Sequence, residues 1–157
     1  MQPSAQQPDR TIEEPEIPSS GRIIAIDPGT KRLGVAISDE SRVAIRPLPI
    51  IERTSWKKLL VAIKGMIEEF DAKALVIGLP LNTDGSESPM SENARGLARN
   101  FGLSLEIPVF LQDERVTSYE ARRRLWDQGI KASQTRKFVD SEAAAIILAD
   151  FIDRKGK

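Results

Sequence analysis

The stretch from Ile23 to Ile37, "IIAIDPGTKRLGVAI", decides how the rest of the chain is read. An apolar run breaks at Asp27-Pro28-Gly29-Thr30 and resumes at once, the pattern of two strands joined by a tight turn. Ile23, Ile24, Ala25 and Ile26 are apolar at every position, so the first strand belongs near the centre of a sheet. Asp27 closes that strand and has two readings. Asp side chains cap their own turns and Pro presets the next φ, so Asp-Pro-Gly can be a turn starter and nothing more. The alternative is that the carboxylate faces a site.

Working outward, "VAIRPLPIIE" (43–52) reads as a third strand, and the short links predict an antiparallel meander. Thr54 or Ser55 is the N-cap of a helix that places Trp56, Leu59, Leu60, Ile63, Ile67 and Phe70 on one face. "KALVIGLP" (73–80) is a buried strand. After the polar loop "LNTDGSES", Ser88 and Pro89 open a helix running to about Phe101. "IPVFLQDE" (107–114) is a fifth strand. Thr117 and Glu120 have capping-box spacing for a helix through about Gln128, which Gly129 closes. Ser133 or Thr135 then opens a last helix ending near Asp153. The expected fold class is α/β: a five-stranded mixed sheet, its first three strands a meander, followed by alternating helix and strand, with helices flanking the sheet. Residues 1–20, rich in Pro, Gln, Ser and Glu, are expected to form a mobile tail ahead of one domain over residues 21–157.

Composition narrows the chemistry. The 157 residues include no cysteine and no histidine, which excludes disulfides, thiolate zinc sites, cysteine nucleophiles and imidazole bases. Catalysis must rest on carboxylates, Lys, Arg, Tyr, hydroxyls or backbone amides, and carboxylates pair best with hard cations such as Mg²⁺. The 23 basic and 23 acidic side chains cancel, so nucleic acid would be bound by a local basic face rather than by bulk charge. The longest apolar run, Ala143 to Ala149, is too short to span a bilayer, and a cytoplasmic protein with no membrane partner is expected.

Three acids then stand out. Asp113 and Glu114 end the fifth strand, where a nearby helix dipole would suffice to stabilise them. Asp140 shares a helical stripe with Ala144, Ile147 and Phe151 in a helix apolar over most of its girth. A carboxylate there needs a partner, because burying it unpaired costs several kcal/mol. Arg136, four residues earlier, would serve structurally; a cation shared with other acids would serve functionally. Strand ends and the start of a packed helix can converge at one sheet edge, and acids gathered there repel unless a divalent cation enters.

The blocks "AIDPGTKRLGVAISD", "VIGLPLNTDGSES", "LQDERVTSYEARRRL" and "VDSEAAAIILADFI", in this order, resemble the YqgF or RuvX family of Holliday junction resolvases and pre-16S rRNA nucleases, over roughly Arg22 to Ile152. The resemblance implies a ribonuclease H-like fold, with Asp27, Glu114 and Asp140 as catalytic residues. The same three acids, with Asp113 as a further neighbour, would hold Mg²⁺ or Mn²⁺. Gly29, Arg32 and Gly34 match the family pattern after the first acid. Ser88 stands where glycine is common, and Thr117-Ser118 replaces a frequent Thr-Thr; neither change removes an acid. The implied partner is nucleic acid, either structured RNA or branched DNA. Candidates to meet its phosphates are Arg32, Arg115, Arg122, Arg123 and Arg124, with Lys31 behind them, although an Arg triplet on a helix is also the pattern of a solvated face. The loop at Asn82 reads equally as a substrate contact and as an Asp-Gly turn. Trp56 reads as core and Trp126 is open. The rival readings are an actin-like phosphotransferase, which needs two such domains, and a non-catalytic binding module in transcription or ribosome biogenesis. A monomer suffices to trim RNA; symmetric cutting of a junction calls for a homodimer.

Overall fold

A computed structural model describes residues 15–114 and 139–156, with the side chains of 141–154 in the second stretch. The expected elements between Glu114 and Val139, with Arg115, Arg122, Trp126 and Arg136, lie outside the described residues, as do residues 1–14. The strands are β1 (Ile23–Pro28), β2 (Arg32–Ser38), β3 (Ile45–Glu52), β4 (Ala74–Leu79) and β5 (Val109–Asp113). The helices are α1 (Trp56–Phe70), α2 (Pro89–Ser104) and α3 (Val139–Phe151), and a π-helical turn, Ile152–Gly156, continues α3.

The sheet runs β3-β2-β1-β4-β5. The first three strands form the expected antiparallel meander, and β4 and β5 join parallel to β1. A parallel neighbour needs a crossover, and α1 supplies one between β3 and β4, α2 the other between β4 and β5. Both helices start on side-chain caps. Ser55 accepts from the Lys58 amide, and Ser88 and Ser91 exchange bonds in a capping box that adds Ser91 to the predicted Ser88-Pro89 pair. α2 continues past Phe101 to Ser104, because nothing after the last buried position breaks the helix before Leu105.

Strand alternation sorts the core into two layers. Ile24 and Ile26 of β1, and Leu75, Ile77 and Leu79 of β4, face Leu59 and Ile63 of α1 and Ala94, Leu97 and Phe101 of α2. Ile23, Ala25, Ala36, Ala74 and Val76 face α3, which answers with Ala144, Ala145, Leu148 and Ala149. Small side chains on both partners let this helix lie close against the sheet. Ile17 also packs on this layer, so the folded core reaches ahead of the boundary at residue 21.

Candidate active site

The alternation that buries Ile23 and Ala25 under α3 carries Asp27 to the same face. On β5, Phe110 and Gln112 point to α3, and Glu114 follows in that phase. Asp113 falls in the opposite phase, with Val109 and Leu111. β4 lies between β1 and β5 and pairs Gly78 with Gln112. A Cβ at residue 78 would stand 2.5 Å from Glu114 Oε2 and 2.6 Å from Ile147 Cδ1, so glycine leaves the space that the Glu114 carboxylate occupies. The Glu114 amide donates to the Leu79 carbonyl at 3.0 Å, which extends the β4 to β5 pairing to the acid itself.

α3 is pinned at the same edge. Val35 N–H, at the register shift between Leu33 and Val35, donates to the buried Ser141 hydroxyl at 3.0 Å. Gly34, next to Val35, pairs with Asp27 across β1 and β2. The backbone of Asp140, one residue before Ser141, is therefore held beside the strand pair that carries Asp27 near its end; its side chain lies outside the described residues. A second tie, from Gln112 Nε2 to Asp150 Oδ2 at 2.7 Å, fastens β5 to the far end of α3.

Glu114 is the strained member of the group. Burial, then the negative charges of Asp27 and Asp113, push its carboxyl up to about 7 from the ordinary 4.5. Its Oε2 is buried and meets no hydrogen-bond donor among the described residues. A carboxylate oxygen without a donor, beside two further carboxylates, is the environment in which a divalent cation supplies the missing partner, and all-oxygen donors suit a hard ion. Three such groups within metal-holding distance do not occur among the described residues, so the third acid would have to come from elsewhere.

The predicted nucleic-acid residues are placed in part. Lys31, in the turn after β1, and Arg32, at the start of β2, are exposed and, with Asp27, Gly29 and Thr30, line a hollow of about 250 Å³. Asn82 braces its own loop, its carboxamide donating to Ser86 Oγ at 3.0 Å and to the Glu87 carbonyl at 3.1 Å. Arg53, which the sequence reading passed over, holds the turn after Asp27: its backbone N–H donates to Lys31 O at 2.9 Å and Nη1 to Gly29 O at 2.8 Å. Gly78 and Ser141 also went unmarked. A glycine inside the strand "KALVIGLP" is the one sequence signal that pointed to a close approach.

Residues 21–154 match the profile of RuvX, described as Holliday junction resolvase. The chain belongs to the RuvX family. RuvX relatives named as candidate pre-16S rRNA nucleases include one from Anaeromyxobacter dehalogenans, 39% identical over 134 residues, covering 85% of this chain and 98% of the relative. Another, from Novosphingobium aromaticivorans, is 41% identical over 133 residues and covers 85% of each. Both the family description and these names are those of enzymes that cut phosphodiester bonds. The solved structure of Thermus thermophilus RuvC superimposes with a TM-score of 0.56 at 14% identity, covering 85% of this chain and 96% of that one. The fowlpox virus Holliday junction resolvase gives 0.50 at 15%, covering 85% and 98%. At these identities the likeness is one of fold, and the RuvX chain has the α/β, ribonuclease H-like fold of such resolvases.

Proposed function

We propose that this RuvX protein is a metal-dependent nuclease that hydrolyses phosphodiester bonds in the 5′-end maturation of pre-16S rRNA. The observation that carries the reading is the meeting of Asp27 and Glu114 on the α3 face, with Glu114 Oε2 buried beside Gly78 and without a donor among the described residues. Asp27, Glu114 and Asp140, with Asp113 at the rim, would hold Mg²⁺ or Mn²⁺. When bound, such ions activate water and stabilise the leaving oxygen, the two tasks a chain without histidine cannot give to an imidazole. Asp27 and Glu114 keep their carboxylates at one sheet edge by strand phase. Lys31 and Arg32, with Arg115 and Arg122, bind the strand by its phosphates and fix its direction. Gly78 and Ser141 keep the acids' supports in place. Asn82 holds the loop before α2 in shape at the same edge. No helix among the described residues is long and apolar enough to cross a membrane, and the substrate assigns the protein to the cytoplasm.

RNA is preferred over DNA because the RuvX relatives at about 39–41% identity carry ribosomal RNA nuclease names. The family description favours a second reading, resolution of four-way DNA junctions by a homodimer. Purified protein with Mg²⁺ or Mn²⁺ is given precursor 16S rRNA and a four-way junction. The expected result is cutting of the RNA that Asp27→Asn abolishes. Cutting of the junction alone, by a species of dimer mass in light scattering, would move the assignment to DNA. Cutting of neither, or equal cutting by the variant, would leave a non-catalytic binding module.

A further inference from the structure

α1 and α2 cover the sheet face opposite the acids, yet the cleft between them opens at the same edge. β3 ends with Glu52 paired to Arg32, which sets Arg53 beside the turn that follows Asp27. Besides holding Lys31 O and Gly29 O, Arg53 donates from Nη2 to Asn93 Oδ1 at 2.9 Å. Gly29 lines the hollow next to Asp27, and Arg53 lines a cleft of about 280 Å³ between the helices. The two spaces meet across one hydrogen bond.

The lining of that cleft is not that of a packing defect. Its floor is apolar, from Leu59 and Leu97. One wall is Trp56, half-buried and tilted on Phe101 with ring centroids 4.9 Å apart. Asn93 and Asn100 set carboxamides at the rim with the Arg53 guanidinium, and no described lining residue is acidic. An indole beside an apolar floor suits the flat face of a base, carboxamides suit its polar edge, and a guanidinium suits the attached phosphate. The core reading of Trp56 holds for its Phe101 side and leaves its cleft side in need of a purpose.

We infer that this cleft is a nucleotide subsite, holding one unstacked base of the single strand whose neighbouring phosphate lies at the Asp27 and Glu114 edge. The inference rests on the nuclease reading and adds to it a second contact region, reached over the turn at residues 29–32. It makes the substrate single-stranded at that position, since a paired base cannot enter between two helices.

Gly96 offers a test that spares the fold. It lies inside α2 and lines the cleft, and a Cβ there meets no atom within 4 Å. Gln at this position favours the helix and fills the cleft. Gly65 and Gly102 are equally unobstructed, so the cleft and its lining, not the glycine, carry the inference. kcat/KM is measured with Mg²⁺ for a single-stranded RNA oligonucleotide spanning the 5′ end of 16S rRNA, and for bis(p-nitrophenyl) phosphate, which is too small to reach the cleft. Gly96→Gln and the exposed Asn100→Glu are each expected to lower the ratio of the two by about ten-fold, mainly through KM for the oligonucleotide. With Ca²⁺ in place of Mg²⁺, 2-aminopurine walked along the strand is expected to be quenched at one position, and Gly96→Gln to remove that quenching. A ratio unchanged in both variants overturns the subsite while leaving the nuclease reading intact. If the wild-type protein hydrolyses neither substrate, the nuclease reading fails, and position-specific quenching alone then decides for or against the cleft.

Discussion

Glu114 pays for its position with a proton affinity that a surface carboxylate lacks. Its carboxyl is raised to about 7 by burial first and by Asp27 and Asp113 second, whereas in the unfolded chain it ionises near 4.5. Between those values Glu114 is protonated more in the folded, metal-free protein than in the unfolded chain, so its contribution to stability is fully present below about 4.5 and is lost as pH rises through about 7. Glu114→Gln is expected to remove that slope and to leave the metal-free protein more stable than wild type at pH above about 7, read by urea denaturation across pH. The same substitution is expected to lower RNA cleavage by at least about 100-fold, since even outer partners of a metal are worth about 10–100-fold. Mg²⁺ should raise the melting temperature of the wild type more above pH 7 than at pH 5, and that of the variant much less. Asp27 and Glu114 stood out in the sequence as acids at the ends of apolar strands, but a turn start and a helix dipole offered each a structural reason, and it is the resemblance to the family that singles them out. Gly78 did not stand out. Its role depends on which side chain comes to rest over it, and nothing within β4 names Glu114.

At the scale of elements, the helices announced themselves through Ser55 and Ser88, whose capping chemistry is local. The strands did so through their apolar runs. What pattern could not reveal is how α3 attaches. Its buried face matched the stripe read through Ala144, Ile147 and Phe151, but the hydrogen bond from Val35 to Ser141 joins residues far apart in the chain at an irregularity of the β2 to β3 register. Ser141→Ala leaves the Val35 N–H buried without its acceptor and is expected to cost about 1–3 kcal/mol, measured as a shift in the urea midpoint. Hydrogen exchange at the Val35 amide should quicken at the same time. Unchanged exchange there would show that the hydroxyl does not hold the helix.

For the whole molecule, the meander could be inferred from short links, and the placing of β4 beside β1 follows once two crossover helices must cover one face of a mixed sheet. The sheet edge where β1, β3, β4 and β5 end is where turn, loop and acids meet, so the topology explains the address of the site better than any single motif does. Balanced charge sets a limit on binding. With 23 residues of each sign, the electrostatic part of the affinity for the proposed RNA substrate has to come from a few local phosphate contacts. Lys31→Ala and Arg32→Ala are each expected to weaken binding of an uncleaved RNA in Ca²⁺ and to lower the slope of log affinity against log salt by about 1. A slope that does not move would remove those side chains from the phosphate track.

The tie between Val35 and Ser141 has a bearing on time as well as on space. β1 and β2 leave the ribosome well before α3, so a partly synthesised chain holds Asp27 with no helix to receive it. On the reading proposed above, the acid site is complete only once α3 has docked on β1 and β2.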